Sequence, residues 1–218
     1  MDDAPDDELP LWFNEPRLTL DSACPTCHGT GVMTEGGRSL ECTCLLRQRV
    51  LHYLTPQYGP AISWNPNFPA EPYRHKDVFI ENTDRLPVSQ FRELAFAAVK
   101  SFLLVTGQQF SHRTLRPYEI FRQLFNTTDT QTFDDLSKRV QLLVFLFGGD
   151  DAPRSSYQTQ IPWLIRLRRD HGVCTWLIST MPVSSSLFNE RYPGVREPLL
   201  DCIKDGFVTL SLSSATAR

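Results

Sequence analysis

The chain has 218 residues, of which 41% are hydrophobic and 11% aromatic, and this composition excludes a wholly disordered protein because enough apolar surface is present to bury a core. The formal net charge of −3 excludes a histone-like polycation. The longest wholly apolar run, Leu142–Phe147, is far shorter than the ~20 residues of a membrane-spanning helix. The acidic residues 2–8 follow no basic or apolar leader, so we expect a cytoplasmic protein without membrane contacts.

Four cysteines lie close together in the first quarter of the chain. Cys24 and Cys27 form a C-x-x-C motif, and Cys42 and Cys44 form a C-x-C motif. The segment between the motifs contains a Gly36-Gly37 turn, which predicts a short hairpin that brings the two pairs together. Four thiolates suit tetrahedral zinc, so the sequence predicts a structural zinc site without an open coordination position. The alternative is a pair of disulfides or free thiols.

The remaining cysteines and histidines lack a ligand pattern. Cys174 and Cys202 lie among apolar residues, which predicts small buried side chains. His28 adjoins the first motif, but four cysteines already complete the zinc site, so we expect it outside the ligand set. We expect His112 and His171 at the surface.

Four segments differ in composition. The segments are an acidic, partly disordered N-terminus (1–20), a zinc module with an amphipathic helix over 45–54 (21–54), a proline-rich linker without regular structure (55–75) and an α/β domain (76–218). In the last of these segments, Pro162 lies inside the helical pattern over 155–169, so that helix must kink there or begin late. The predicted strands are 77–80, 114–115, 142–147, 173–179 and 207–212, and the predicted helices are 89–105, 118–125, 155–169 and 199–203.

Strands that alternate with helices predict an α/β domain of three layers with a mainly parallel, five-stranded sheet. The continuous apolar run Leu142–Phe147 is typical of a central parallel strand that is covered on both faces. The serines at 184–186 predict a helix N-cap.

These motifs resemble a known family. The run Cys-Pro-x-Cys-x-Gly-Thr-Gly from Cys24, the C-x-C motif and the basic amphipathic helix resemble the N-terminal zinc module of bacterial and phage helicase loaders of the DnaC/DnaI type. Residues 140–145 resemble the lead-in to a Walker B strand, 176–180 a sensor-1 strand, and 187–200 the region that ends in the arginine-bearing helix of these loaders and of IstB transposition ATPases. The resemblance implies an AAA+-like domain and a zinc module that docks a replicative helicase.

The phosphate-binding loop of that family, G-x-x-x-x-G-K-[ST], is missing. Residues 81–88, at the corresponding place, contain no glycine and no Lys-Ser/Thr pair. Glu81 and Asp84 would repel the charge of a phosphate, and we assign Asp84 and Arg85 to a degenerate nucleotide site.

The other nucleotide motifs are also degenerate. Leu146 and Phe147 stand where the Walker B acids belong, while Asp150 and Asp151 lie beyond two glycines, where only a shifted strand end would bring one of them into place. Thr180 is followed by methionine at the polar sensor position. We therefore predict a pseudo-ATPase with no catalytic residues and no bound ATP.

Two basic groups are candidate contacts for single-stranded DNA. Arg166, Arg168 and Arg169 form the densest one, and Arg47 and Arg49 lie beside the zinc module. The alternative is that the first group favours the negative end of a helix dipole.

The sequence predicts a non-catalytic adaptor in DNA replication or mobile-element biology. It would dock a replicative helicase or an ATP-competent AAA+ subunit, with zinc as its cofactor. One alternative is a zinc-ribbon nucleic-acid-binding accessory factor of transposition. The other is a divergent ATPase that uses Asp150 or Asp151.

Overall fold

The computed structural model describes residues 24–42, 44–45, 48, 71–106, 112–120, 134–148, 154 and 157–212. Within these ranges the chain forms a two-stranded and a five-stranded sheet. The strands are β1 (Val32–Glu35), β2 (Arg38–Glu41), β3 (Val78–Glu81), β4 (His112–Leu115), β5 (Leu142–Phe147), β6 (Cys174–Ser179) and β7 (Val208–Leu210). The helices are α1 (Val88–Thr106), α2 (Tyr157–Asp170), α3 (Ser186–Arg191) and α4 (Arg196–Lys204), with a 3-10 turn at Glu71–Tyr73 and a π-helical turn at Asp135–Arg139. Residues 117–120 are also helical.

The five-stranded sheet is parallel throughout, with the order β4-β5-β6-β3-β7. Strand β5 lies between β4 and β6 with all six of its residues buried, as its continuous apolar run predicts. Strand β3 lies between β6 and β7, with Val78 opposite both Trp176 and Val208. The predicted parallel sheet is therefore confirmed.

Alternate residues of the strands pack into two separate cores. In β5, Leu143, Phe145 and Phe147 join the core that α2, α3 and α4 cover. Leu142, Val144 and Leu146 join the opposite core, which α1 covers. Because side chains alternate between the faces of a strand, a sheet with apolar residues at every position requires helices on both sides. The predicted three-layer arrangement is confirmed.

The observed helices follow the predicted ones with shifted ends. Helix α2 begins at Tyr157, upstream of Pro162, so the expectation of a late start at that proline is wrong. Helix α4 extends the short turn predicted at 199–203 in both directions. Ser185 caps α3, and its Oγ accepts a hydrogen bond from the Phe188 N–H at 3.1 Å, which confirms the N-cap predicted in the serine run.

The two-stranded sheet is the predicted hairpin between the cysteine pairs. Strands β1 and β2 pair antiparallel from Val32 opposite Glu41 to Glu35 opposite Arg38. The connecting Gly36 and Gly37 have φ values of 56° and 79°, and this left-handed turn matches the twist of the strands at little steric cost only with glycine.

Several predicted segments lie wholly or partly outside the described residues. They include the N-terminus (1–20) and most of the helix at 45–54, of which residues 45 and 48 are described and helical. The linker was expected to lack regular structure, and this is wrong at its end, where Glu71–Tyr73 forms a 3-10 turn. None of the helices in the described ranges is long and apolar enough to cross a membrane.

Candidate functional site

The four predicted cysteine ligands converge at one end of the hairpin. Their Sγ atoms all lie within 4.8 Å of one another. The Cys24 and Cys42 sulfurs are 3.7 Å apart, and the Cys27 and Cys44 sulfurs are 3.5 Å apart. Zinc–sulfur bonds of about 2.3 Å in a tetrahedron place the sulfurs about 3.8 Å apart, so the donor set and its spacing fit such an ion. These four side chains can hold a metal such as zinc.

Backbone hydrogen bonds fix the positions of the two cysteine pairs. The His28 N–H donates to the Cys24 carbonyl at 2.9 Å, which folds the first motif into a tight turn. The Cys42 N–H donates to the Gly31 carbonyl at 2.8 Å, so the second pair is tied to the exit of that turn. The Leu45 N–H in turn donates to the Cys42 carbonyl at 3.0 Å. The chain therefore brings the ligands together through its own backbone.

Burial separates the four sulfurs into an inner and an outer group. Cys24, Cys27 and Cys42 are buried, whereas Cys44 is half-buried. His28 is exposed, has a left-handed φ of 49°, and lies outside the cluster, as the sequence predicts.

The protein environment shifts the pKa values of three of the thiols in different directions. Backbone hydrogen bonds, first that of Cys27, lower the pKa of Cys24. Burial alone would raise the pKa of Cys27, but the backbone of Gly31 and the neighbouring thiols outweigh burial and lower it to about 6. Burial and then contact with the Cys27 thiol raise the pKa of Cys44 above its ordinary value. A divalent cation supplies the positive charge that allows all four thiols to ionise together.

The second candidate site is the carboxyl edge of the large sheet, the edge formed by the ends of β3, β5 and β6. In open α/β sheets ligands bind at this edge. Here the loop from β3 to α1 is closed by Asn82, whose Oδ1 accepts from the Leu86 N–H at 3.0 Å and whose Nδ2 donates to the Leu86 carbonyl at 2.9 Å. The same Nδ2 donates to the Thr180 carbonyl at 3.1 Å, which fastens the loop to β6.

The polar groups at the ends of β3 and β5 already have partners within the protein. The Glu81 carboxylate accepts from the Val183 N–H. The Tyr192 hydroxyl accepts from the Gly148 N–H at 2.9 Å and donates to the Gly148 carbonyl at 2.6 Å. Phe147, at the end of β5, is wholly buried. In the described part of this edge, the backbone groups of Gly148, the residue after β5, are thus satisfied by the Tyr192 side chain.

Two further side chains lie at this edge. A guanidinium nitrogen of Arg92 on α1 lies 3.0 Å from the position that a Cβ at Gly148 would take, so the cation fills the space beside the end of β5. Thr180 is buried with 3% exposure, and its Oγ1 makes no hydrogen bond within the described structure. Its N–H donates to the Phe147 carbonyl at 3.0 Å.

The residues predicted for the degenerate nucleotide site are only partly brought together. Thr180 lies at the carboxyl edge and contacts Asn82. Asp84 and Arg85 are exposed on the loop that Asn82 closes. Asp150 and Asp151 lie outside the described residues.

The three arginines of the predicted basic group face different surroundings. Arg166 is exposed on α2. Arg169 pairs with Asp77 at 3.3 Å and donates to the Cys202 carbonyl at 3.1 Å, so its charge is engaged within the protein. Arg168 has 0% exposure and its guanidinium is enclosed by protein carbonyls, so the expectation that it contacts DNA is wrong. Arg47 and Arg49, beside the zinc module, lie outside the described residues.

Sequence reasoning missed three residues at the carboxyl edge. Asn82 carried a signal, because asparagine after a strand is a turn-forming residue that hydrogen-bonds nearby backbone. Arg92 and Tyr192 carried none, because their contacts at Gly148 join residues that are far apart in sequence.

Comparisons with known proteins do not assign the chain to a family. No protein-family model matches the sequence, and no curated protein matches it. Among solved structures, the chain is similar to the crystal structure of the DnaC helicase loader, with 14% identity and a TM-score of 0.46 over 80% of this chain and 92% of that one. It is also similar to the crystal structure of the DnaI, with 13% identity and a TM-score of 0.44 over 80% of this chain and 87% of that one. At these TM-scores and identities the likeness assigns neither a family nor a function to this chain.

Proposed function

We propose that this protein is a non-catalytic, helicase-loader-like adaptor that acts in DNA replication or mobile-element biology. Its zinc module docks a replicative helicase or an ATP-competent AAA+ subunit, and its α/β domain is an AAA+-like scaffold kept for its shape and contacts. Three observations support this role: the four-cysteine cluster, the parallel five-stranded sheet and the resemblance of the sequence motifs to those of the helicase loaders.

The closed loop between β3 and α1 carries the proposal. A phosphate-binding loop needs backbone N–H groups that point at the phosphates and glycines that let the chain wrap them. Here the Leu86 N–H donates to Asn82, and the loop contains Asp84 instead of a lysine. The same side chain donates to the Thr180 carbonyl just after β6, so opening the loop for a nucleotide would break the hydrogen bonds of Asn82 with Leu86 and with Thr180.

Isothermal titration calorimetry tests the absence of nucleotide binding. We expect no heat of binding and no phosphate release when millimolar ATP and magnesium are added to the zinc-loaded full chain. A micromolar dissociation constant would overturn the pseudo-ATPase proposal. It would favour the divergent ATPase, in which case Asp150→Asn or Asp151→Asn should abolish turnover.

Affinity capture with defined partners tests the adaptor role. We expect the immobilised protein to retain a purified replicative helicase or AAA+ ATPase from the same cell, and we expect Cys24→Ser to abolish retention because it removes a metal ligand. Thr26→Ser is the matched control, since Thr26 is exposed between the two ligands of the first motif. If neither class of partner binds the folded, zinc-loaded chain, the docking role is wrong.

A second candidate function, the zinc-ribbon nucleic-acid-binding accessory factor, is favoured by one observation. Arg166 is exposed on α2 and is available for a phosphate contact. Under this candidate, single-stranded DNA binds in a salt-dependent manner and Arg166→Glu weakens binding, whereas Lys204→Glu on α4 serves as the matched exposed control. Binding that Arg166→Glu does not change would exclude α2 as the contact surface.

A further inference from the structure

We infer that the four-cysteine cluster is also an oxidation site, at which a hydroperoxide joins Cys44 to Cys27 in a disulfide and the cluster thereby loses its capacity to hold metal. This inference rests on the proposed zinc site and adds a modification chemistry to it. It assigns the first reacting sulfur, its partner and the class of oxidant.

Exposure selects the sulfur that reacts first. Cys44 is half-buried, whereas the exposed fractions of Cys24, Cys27 and Cys42 are 6%, 4% and 0%. In the zinc-loaded site all four sulfurs are thiolates, and an oxidant must touch the sulfur that it oxidises, so access decides which sulfur reacts first. A hydroperoxide dissolved in water therefore meets the Cys44 sulfur before the other three.

Distance selects the partner of Cys44. The Cys27 sulfur lies 3.5 Å away, and these two residues belong to different motifs. A disulfide needs a sulfur–sulfur bond of about 2.05 Å, so the pair must close by about 1.5 Å, which small side-chain rotations can supply. A Cys42–Cys44 disulfide would instead close a ring across a single intervening residue and would involve a wholly buried sulfur.

The reaction balances with one hydroperoxide per disulfide. The Cys44 thiolate attacks a peroxide oxygen, the O–O bond breaks, and Cys44 becomes a sulfenic acid while the leaving oxygen takes a proton to form water or an alcohol. The Cys27 thiolate then attacks the Cys44 sulfur, the S–O bond breaks, and hydroxide leaves and takes a proton to form water. Two thiolates are oxidised by two electrons, and the peroxide is reduced by two electrons.

The disulfide leaves Cys24 and Cys42 as the only thiolates of the site. Two sulfur ligands do not complete the four-coordinate shell that structural zinc requires. The base of the hairpin, whose strands are almost wholly exposed, is then held by one disulfide instead of by the metal. Peroxide thus converts a metal-ordered module into a disulfide-linked one.

The test uses the zinc-loaded full chain treated with hydrogen peroxide, alkylated with N-ethylmaleimide and digested with trypsin without reduction. Cleavage after Arg17, Arg38 and Arg47 places the first cysteine pair in peptide 18–38 and the second in peptide 39–47. We expect the two peptides to become linked, with the Cys27–Cys44 bond located by fragmentation, and we expect zinc release to follow linkage in time. Zinc release while the two peptides stay unlinked, or full zinc retention under peroxide, would overturn the inference.

Two variants sharpen the result. Cys44→Ser removes a proposed metal ligand together with the accessible thiolate, so we expect it to hold zinc less tightly, and the rate of zinc release under peroxide is compared between the wild type and Cys202→Ser. Cys202→Ser is the control and should not change the rate, because that thiol is buried outside the cluster. If Cys44→Ser does not hold zinc, the order of alkylation in the wild-type chain decides, since Cys44 must be the first thiol lost. Zinc content measured before oxidation tests the proposed metal site separately, because a zinc-free preparation refutes that site whatever the peroxide does.

Discussion

The guanidinium of Arg168 joins three parts of the α/β domain from inside the core. Its nitrogens donate to the carbonyls of Leu136, Val140 and Cys174, and its Nε donates to the Thr175 hydroxyl at 3.1 Å. The π-helical turn, the start of β6 and helix α2 therefore meet at one side chain. Burial lowers the pKa of Arg168 to about 10, which still leaves it charged at neutral pH.

Replacement of this side chain should destabilise the fold strongly. Arg168→Met keeps much of the volume but leaves several buried carbonyls unpaired, so we expect the free energy of unfolding to fall by about 3 kcal/mol or more. Arg166→Met, two positions away and exposed, should stay within about 0.5 kcal/mol of the wild-type protein. Urea denaturation of both variants measures the difference, and equal stabilities would contradict the role given to Arg168.

His112 gives the protein a dependence on pH. We expected it at the surface, and this is wrong, because it is 3% exposed at the start of β4 with its Nε2 3.0 Å from the Thr114 hydroxyl. Burial, with a smaller effect of Arg113, lowers the pKa of His112 to about 3. The folded protein thus keeps this imidazole neutral, while the unfolded chain binds a proton below its ordinary pKa of 6.5.

Acid should therefore favour unfolding through this residue. As the pH falls from about 6.5 towards 3, the free energy of unfolding should decrease by up to about 1.4 kcal/mol per pH unit. His112→Gln should remove this part of the slope, whereas His171→Gln at an exposed position should retain it. Urea denaturation at several pH values measures the slope for the wild type and for both variants. The pKa of Asp77 is also raised, but its contribution to the slope is the same in all three proteins and drops out of the comparison. The same slope in His112→Gln and in the wild type would exclude this assignment.

At the scale of elements, the end of β5 is joined to α3 by one hydroxyl group. Tyr192 packs its ring against Phe147 and Phe188 and pairs through its hydroxyl with both backbone groups of Gly148. Tyr192→Phe keeps the ring contacts and removes both hydrogen bonds. We expect the free energy of unfolding to fall by about 1–3 kcal/mol, as for buried groups left unpaired. Tyr118→Phe, at a tyrosine with 36% exposure, is the control in thermal denaturation and should unfold as the wild type does.

The proposed zinc module should depend on a bound metal for its stability far more than the large sheet does. Cysteines alone make up its buried cluster in the described residues, and the hairpin strands are exposed, so little apolar burial stabilises it without metal. Removal of the metal by a chelator should therefore abolish the protection of the amides of 32–41 from hydrogen exchange, while the amides of β5 and β6 stay protected. In the Cys24→Ser variant, the amides of 32–41 should exchange without protection before any chelator is added. Protection of the hairpin that survives metal removal would contradict this prediction.

Elements with a strong local signal could be predicted from the sequence. The apolar run of β5, the amphipathic pattern of α1 and the Gly36-Gly37 turn each specify one structure through nearby residues. Contacts between distant residues could not be predicted in this way. The pairing of Tyr192 with Gly148 and the carbonyls around Arg168 depend on the strand order, which local periodicity does not contain.

At the scale of the whole molecule, the carboxyl edge of the large sheet is filled by the protein's own side chains in its described part. Asn82, Arg92 and Tyr192 occupy that edge from three different elements. Magnesium-ATP should therefore leave the melting temperature unchanged. A nucleotide bound at 100 times its dissociation constant would add about 2.7 kcal/mol, so thermal denaturation with millimolar ATP would reveal even modest affinity as a raised melting temperature.

The position of β3 between β6 and β7 has a consequence for the order in which the chain can fold. Strand β3 can pair on one edge only after the chain has been made as far as Trp176, about a hundred residues after Val78. Its other edge can pair only after Val208 has been made. Pairings so distant in sequence fold slowly, because the intervening loop must close before any contact forms. During synthesis on the ribosome, the apolar β3 strand stays without its sheet partners until β6 has emerged, and unpaired apolar strands of this kind are prone to aggregate.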